Sequence, residues 1–210
     1  MPEARPPATR PCAVVWDVGR VLYHWDLRHL FAKLIPDPAE LEWFVTHVVT
    51  EEWHFQSDAG RPLAEMVPEL KGRFPDHAAL IDAYATRFIE TLPYAVDGTH
   101  ALVEQLAARG VPQFALSNFG AEFWAMFRPT APVFGHFAQI VISGEVKCAK
   151  PDPRIYAVLE ERCGMDPATL LFVDDRADNI AAARVRGWHG HVFTRADALE
   201  AELRAHGLLD

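Results

Sequence analysis

The sequence predicts an α/β fold, a mostly parallel sheet with helices on both faces, interrupted by a small inserted helical cap domain. Three observations predict it. Two apolar runs each stop on aspartate, Ala13-Val14-Val15-Trp16-Asp17 and Leu170-Leu171-Phe172-Val173-Asp174-Asp175, as buried parallel strands do when they deliver a polar group to their carboxyl end. Between Asp26 and Glu90 apolar residues recur at helical spacing with no strand pattern. From Asp97 onward helices and strands alternate.

Taken in order, the first strand ends at the turn Val18-Gly19-Arg20, and Leu27, Leu30, Phe31 and Leu34 mark a first helix. Asp37-Pro38 reads as an N-cap followed by an N1 proline, opening a second helix through Leu41, Phe44, Val45 and Val48. The segment 51–60 lacks a clean period and reads as a connecting loop; helices follow over 63–74 and 77–90. A helix over 99–109 stops at Gly110, and Gln113-Phe114-Ala115-Leu116 is a strand that ends on Ser117-Asn118. An aromatic helix over 121–127 precedes a strand at 139–142. Asp152-Pro153 opens a helix through Ile155, Val158 and Leu159, and Asp166-Pro167 repeats its signature. A strand at 170–173, a helix through Ile180 and Ala183, a strand at 191–193 and a helix over 196–206 complete the chain. The expected division is a core of 1–22 and 93–210 with an inserted helical unit of 23–92.

Composition narrows the function. Half of the 210 residues are apolar, enough for a sizeable core. A net charge of −9, with no cluster of Lys and Arg, argues against a nucleic-acid partner, because binding phosphate backbones needs concentrated positive charge. The three cysteines, Cys12, Cys148 and Cys163, are odd in number and not closely spaced, which fits a reducing compartment. No stretch approaches the roughly eighteen apolar residues of a membrane span. The expectation is a soluble, cytoplasmic protein with no membrane partner, preceded by a loose tail over residues 1–11, which hold four prolines and two arginines. Oligomeric state has no signature in the sequence.

Two adjacent strands ending on Asp17 and on Asp174-Asp175 bring three carboxylates around one point. Such a cluster repels itself unless a cation sits in it, and a hard, oxygen-seeking ion such as Mg²⁺ is the natural filler. Ser117 and Lys150 also fall at or just after predicted strand ends.

In order and spacing, Asp17, Ser117, Lys150-Pro151-Asp152-Pro153 and Val173-Asp174-Asp175-Arg176-Ala177-Asp178-Asn179 resemble the signature motifs of the haloacid dehalogenase-like hydrolase superfamily, in the subgroup with a helical cap between the first two motifs. The resemblance covers nearly the whole chain. It implies a Rossmann-like core and a Mg²⁺-dependent phosphatase acting on a small-molecule phosphate ester. By the same resemblance Asp17 is the nucleophile that becomes an aspartyl-phosphate, Ser117 and the Asn118 peptide N–H bind phosphoryl oxygens, and Lys150 balances charge. Asp17, the Gly19 carbonyl and Asp175 hold the metal, while Asp174 and Asn179 stand in its outer shell.

The chain departs from the pattern at one place. Where such phosphatases carry a second aspartate two residues after the nucleophile, as general acid and then base, this sequence has Gly19. Some similar members, including a sugar-1-phosphate phosphatase type, have Gly there too. Lost acid–base help, typically about a hundred- to ten-thousand-fold, favours substrates with good leaving groups or recruits another residue. His24, Asp26 and His54 are the candidates, with Asp26 also suited to start the first cap helix. Trp53, His54 and Phe55, with Tyr23 and Trp25, form an aromatic and polar set that can face the substrate. Two other readings stand beside the phosphatase. One is a 2-haloacid dehalogenase using the same Asp17, against which the acidic pair argues by repelling a haloacid's own carboxylate. The other is a catalytically weak binding or regulatory protein.

Overall fold

The computed structural model describes residues 9–210, so the expected tail lies almost wholly outside the described residues. The chain runs β1 (Ala13–Trp16), β2 (Tyr23–His24), α1 (Arg28–Phe31), α2 (Pro38–His47), α3 (Glu51–Asp58), α4 (Leu63–Arg73), α5 (Ala78–Arg87) and β3 (Tyr94–Ala95). It continues through α6 (Thr99–Ala108), β4 (Gln113–Ser117), α7 (Ala121–Phe127), β5 (Gln139–Ile142), α8 (Ser143–Val146), α9 (Pro153–Cys163), β6 (Leu170–Asp174), α10 (Ala177–Val185), β7 (His189–Val192) and α11 (Ala196–Ala205). Five strands form one sheet in the order β5-β4-β1-β6-β7, every neighbouring pair parallel. The predicted Rossmann-like α/β class is the observed one.

Strand alternation builds two cores from one sheet. Ala13, Val15, Leu170 and Phe172 face a layer with Ile155 and Leu159 of α9 and Ile180 and Ala183 of α10. Val14, Trp16, Leu171 and Val173 face the other way, toward Leu102 and Leu106 of α6 and Leu199 and Leu203 of α11. That second core continues without a break into the helices between β2 and β3, through Phe31, Phe44, Tyr84 and Phe88. The buried Gln113 beside it is satisfied: Trp16 Nε1 donates to Gln113 Oε1 at 3.0 Å, and Gln113 Nε2 donates to the Val103 carbonyl at 2.9 Å.

β2 and β3 pair antiparallel, Tyr23 with Ala95 and His24 with Tyr94, so the chain leaves and re-enters the sheet domain through one two-stranded ribbon. Between them lie α1 to α5. The predicted N-cap of α2 is present, Asp37 Oδ1 accepting from Glu40 N at 2.8 Å. The first helix is only four residues long, with Asp26 Oδ1 accepting from Arg28 N at 2.8 Å just before it.

The segment expected to be a loop is helix α3. Thr50 Oγ1 caps it by accepting from Trp53 N at 3.0 Å, and Glu51 and Glu52 place negative charge in its first turn. Its buried residues, Trp53, His54, Ser57 and Asp58, follow helical spacing. Three of those four are polar, so the helical period is one of burial rather than of hydrophobicity. The last strand also sits two residues earlier than expected at its start, because Gly190 lies inside it: a Cβ there would meet Ile180 Cγ2 at 2.7 Å, so the glycine lets α10 pack closely on β7.

Candidate active site

β1 lies between β4 and β6, with Trp16 in register with Ala115 on one side and Val173 on the other. Asp17, Ser117 and Asp174 therefore emerge at the same carboxyl edge, where open α/β sheets bind ligands. The loop before α9 adds Lys150.

These groups form one buried network. Asp17 Oδ1 accepts from its neighbour Val18 N and from Ser117 Oγ, both at 2.7 Å. Lys150 Nζ lies 2.9 Å from Asp17 Oδ2 and 2.7 Å from Asp174 Oδ2, with its side chain fully buried. Asn118 fixes the lysine through its backbone: Lys150 N donates to Asn118 Oδ1 at 2.7 Å, and Asn118 Nδ2 donates to the Lys150 carbonyl at 3.0 Å. The Asn118 side chain is thus committed to Lys150, leaving its peptide N–H for the phosphoryl contact expected of it. Asp174 accepts from Lys150, from Arg176 N at 2.8 Å and from Asn179 Nδ2 at 3.0 Å on each oxygen. It ties the lysine to the start of α10.

Asp17, Asp174 and Asp175 each offer an oxygen within 4.8 Å of the others'. The buried Lys150 ammonium pairs with Asp17 and Asp174 and leaves Asp175 without an ion pair among the described residues, so the cluster carries excess negative charge when all three are ionised. Burial pushes the Asp17 carboxyl up to about 7; the Lys150 ammonium pulls it down, Asp174 pushes it further up, and the Ser117 hydroxyl lowers it. Asp175 is also raised, first by burial and then by Asp174. Burial opposes the charge on Lys150, but Asp17 and Asp174 outweigh it and hold the ammonium above its ordinary range. The cluster has the donor chemistry and charge deficit of a site for a hard divalent cation.

Above this edge is a cavity of about 390 Å³ whose lining includes Asp17, Gly19, Lys150 and Asp175 from below and Trp25, His54, Phe55 and Asp58 from the helical unit. Arg20, at its mouth, has φ of 61° and lays its guanidinium 4.9 Å from the Trp25 ring centroid. Of the expected cap residues, His54 and Phe55 line the cavity. Trp53 is instead buried against Tyr84, with ring centroids 5.4 Å apart, and His24 is exposed on β2 outside the lining. His54 is buried and neutral, pushed down to about 3 by burial and by the charge of Arg20. Asp58 escaped sequence reasoning because its segment read as a loop; the signal was the cap-and-acid pattern Thr50-Glu51-Glu52, which opens a helix ending on it. A second concavity of about 460 Å³, lined by Pro151, Glu160 and Arg186 among others, holds no acidic cluster.

The family model for haloacid dehalogenase-like hydrolases matches residues 13–187, from the first residue of β1 to beyond the end of α10. The chain belongs to that family. Its matched span contains Asp17, Ser117, Lys150 and the Asp174-Asp175 pair. The fold is shared with a HAD family enzyme of Bacteroides thetaiotaomicron solved with magnesium and inorganic phosphate, at a TM-score of 0.67 and 22% identity over 88% of this chain and 95% of that one. Among curated relatives, phosphoglycolate phosphatase of Pectobacterium atrosepticum is 28% identical over 60% of this chain and 51% of its own length. (S)-2-haloacid dehalogenase of Pseudomonas putida is 31% identical over 51% of this chain and 44% of its own. The chain thus spans about half the length of the curated relatives it matches. No helix among the described residues is long and apolar enough to cross a membrane.

Proposed function

We propose that this family member is a Mg²⁺-dependent phosphatase of a small phosphorylated metabolite, acting in the cytoplasm through an aspartyl-phosphate on Asp17. The observation that carries the reading is the charge balance at the sheet edge: Asp17, Asp174 and Asp175 offer oxygens within 4.8 Å of one another, while the buried Lys150 ammonium pairs with Asp17 and Asp174 and not with Asp175. The excess negative charge fits a divalent cation and explains why so many carboxylates are tolerated there. Asp17, Asp175 and the Gly19 carbonyl are the groups that would hold Mg²⁺, which when bound supplies positive charge against the phosphoryl oxygens.

The chain's own residues then divide the work. Asp17, anchored at Oδ1 by the Val18 N–H, attacks phosphorus in line with the leaving oxygen. The Ser117 hydroxyl, which in the free site donates to Asp17, turns to a phosphoryl oxygen, joined by the Asn118 peptide N–H. Lys150, clamped by the Asn118 amide and by Asp174, balances the charge of nucleophile and phosphoryl group. The described core, up to Leu22 and from Pro93 onward, acts as the catalytic domain, and residues 23–92 act as the cap that covers the leaving group.

A hydrolysis assay on a panel of phosphomonoesters, with Mg²⁺ and with EDTA, tests the reading. Turnover that needs Mg²⁺ and disappears in Asp17→Asn is the expected result. The similarity to (S)-2-haloacid dehalogenase favours a second reading, attack of Asp17 on carbon with loss of halide. Halide release that persists in EDTA, without phosphate release, would establish it in place of the first.

A further inference from the structure

The loop that carries Asp17 has no proton donor at Gly19, and the structure shows what stands over that gap. The nearest atom to a Cβ built on Gly19 is Trp25 Cβ, at 3.7 Å, and the Trp25 ring stacks on His54 with centroids 4.9 Å apart. One helical turn beyond His54, at the end of α3, is Asp58. It is almost fully buried, yet it lines the same cavity as Asp17, Gly19 and Lys150. Helix α3 is pressed onto the loop that follows Ser117: a Cβ on Gly120 would meet Ser57 Oγ at 2.1 Å. Asp58 is therefore held beside the phosphoryl-binding loop by packing that leaves no room for a larger residue at Gly120.

The immediate surroundings of Asp58 do not look like those of a structural carboxylate. Its Oδ1 is buried without a hydrogen-bond partner. That oxygen lies 3.4 Å from His54 Nε2 without the geometry of a hydrogen bond, and His54 Nδ1 is bonded to the Tyr84 hydroxyl. No Lys or Arg pairs with Asp58 among the described residues. A buried carboxyl with a spare oxygen costs stability wherever it serves only packing, and such costs concentrate where a group has work to do.

We infer that Asp58 is the general acid and base of the proposed phosphatase reaction, replacing from the cap the proton donor absent at Gly19. The inference rests on the phosphatase reading. The groups that face Asp58 are His54 on its own helix, Tyr84 of α5, the Gly120 peptide, and Asp17 and Lys150 below. Burial holds the Asp58 carboxyl well above its ordinary range; the Gly120 peptide lowers it, Asp17 raises it and Lys150 lowers it. The Tyr84 hydroxyl is raised by burial and by Asp58, and the neutral His54 holds no charge that would draw the proton away.

In the first step an Asp17 oxygen forms a bond to phosphorus, the ester P–O bond breaks with its electron pair going to the leaving oxygen, and that oxygen takes the proton of Asp58. The alcohol departs. In the second step the Asp58 carboxylate takes a proton from water as the water oxygen bonds to phosphorus. The Asp17–phosphorus bond breaks, its electron pair returns to Asp17, and Asp58 is again protonated.

The test compares two esters on the purified chain with Mg²⁺: p-nitrophenyl phosphate, whose leaving phenolate needs no proton, and a simple alkyl phosphate, whose alkoxide does. In Asp58→Asn, p-nitrophenyl phosphate is expected to release about one nitrophenolate per enzyme in a burst, then turn over about 10²–10⁴-fold more slowly than the wild type. The alkyl ester is expected to show no burst and a loss of at least that size. Equal losses on both esters without a burst, or unchanged turnover, overturn the inference. Should Asp58→Asn fail to fold, the wild type still decides. Its single-turnover rate on the alkyl ester falls on the alkaline side while its nitrophenolate burst rate does not, and coincident pH profiles overturn the role. If the wild type cleaves neither ester, or Asp17→Asn matches it, the phosphatase reading itself has failed.

Discussion

The buried Asp17 makes stability depend on pH in a way that one substitution isolates. Without metal, the folded protein holds the Asp17 carboxyl up to about 7, against 3.8 for an unperturbed aspartate. Below both values the group is protonated in folded and unfolded chains alike. Between them the folded state keeps a proton that the unfolded state has lost, so stability present at low pH is lost as pH rises through about 7. At about 1.4 kcal/mol per unit, the change between about pH 5.5 and about pH 8 comes to about 2 kcal/mol. In a chain of this size that corresponds to a fall in Tm of about 4–8 °C. Thermal unfolding of the wild type and Asp17→Asn in EDTA, across that range, reads it directly. The two curves converge or diverge by the predicted amount because the variant lacks this titration, whatever constant offset it carries from a changed contact with Lys150. Mg²⁺, which favours the ionised carboxylate, is expected to raise the wild-type Tm more at the alkaline end and to do far less for Asp17→Asn. Parallel curves in EDTA would refute the assignment of Asp17 as a buried carboxylate held near neutrality.

Other outcomes follow from single contacts. Lys150→Met leaves Asp17 and Asp174 facing each other without their ammonium; activity is lost, and in the absence of Mg²⁺ denaturant unfolding at about neutral pH shows a loss of about 3–5 kcal/mol. Gly120→Ala drives a methyl group into Ser57, lifting α3 from the loop after Ser117, with about 1–3 kcal/mol lost in urea unfolding and a raised KM. A Cβ at Gly19 meets nothing closer than Trp25 Cβ at 3.7 Å, so Gly19→Asp is expected to fold, to melt below the wild type in EDTA because it adds a carboxylate to an acidic cluster, and with Mg²⁺ to ease the alkyl-ester defect of Asp58→Asn in a double variant.

The parts of this structure that could be read from the sequence are those where hydrophobicity and chemistry coincide. β1 and β6 are continuous apolar runs buried on both faces, so the aspartates that end them stood out, and the sheet order then brought them together. Lys150 was legible because prolines and aspartate flank it in a fixed arrangement. Helix α3 was not, since Ser57 and Asp58 are buried without being apolar and His54 is held by ring stacking with Trp25 and Phe88. The two-residue strands β2 and β3 were equally silent, because their pairing, Tyr23 with Ala95 and His24 with Tyr94, joins residues far apart in the chain and depends on no local pattern. Asp58 belongs to this hidden class: its importance comes from what surrounds it in three dimensions, and a polar residue in a polar stretch shows none of that.

Trapping the covalent intermediate tests the central claim most directly. The protein is incubated with Mg²⁺ and an acyl phosphate, quenched in acid, digested and examined by mass spectrometry. A phosphoryl group on the peptide that carries Asp17, absent in EDTA and in Asp17→Asn, is the predicted result. Phosphate release by the wild type with no label on that peptide, or label that forms equally well without metal, would contradict the account.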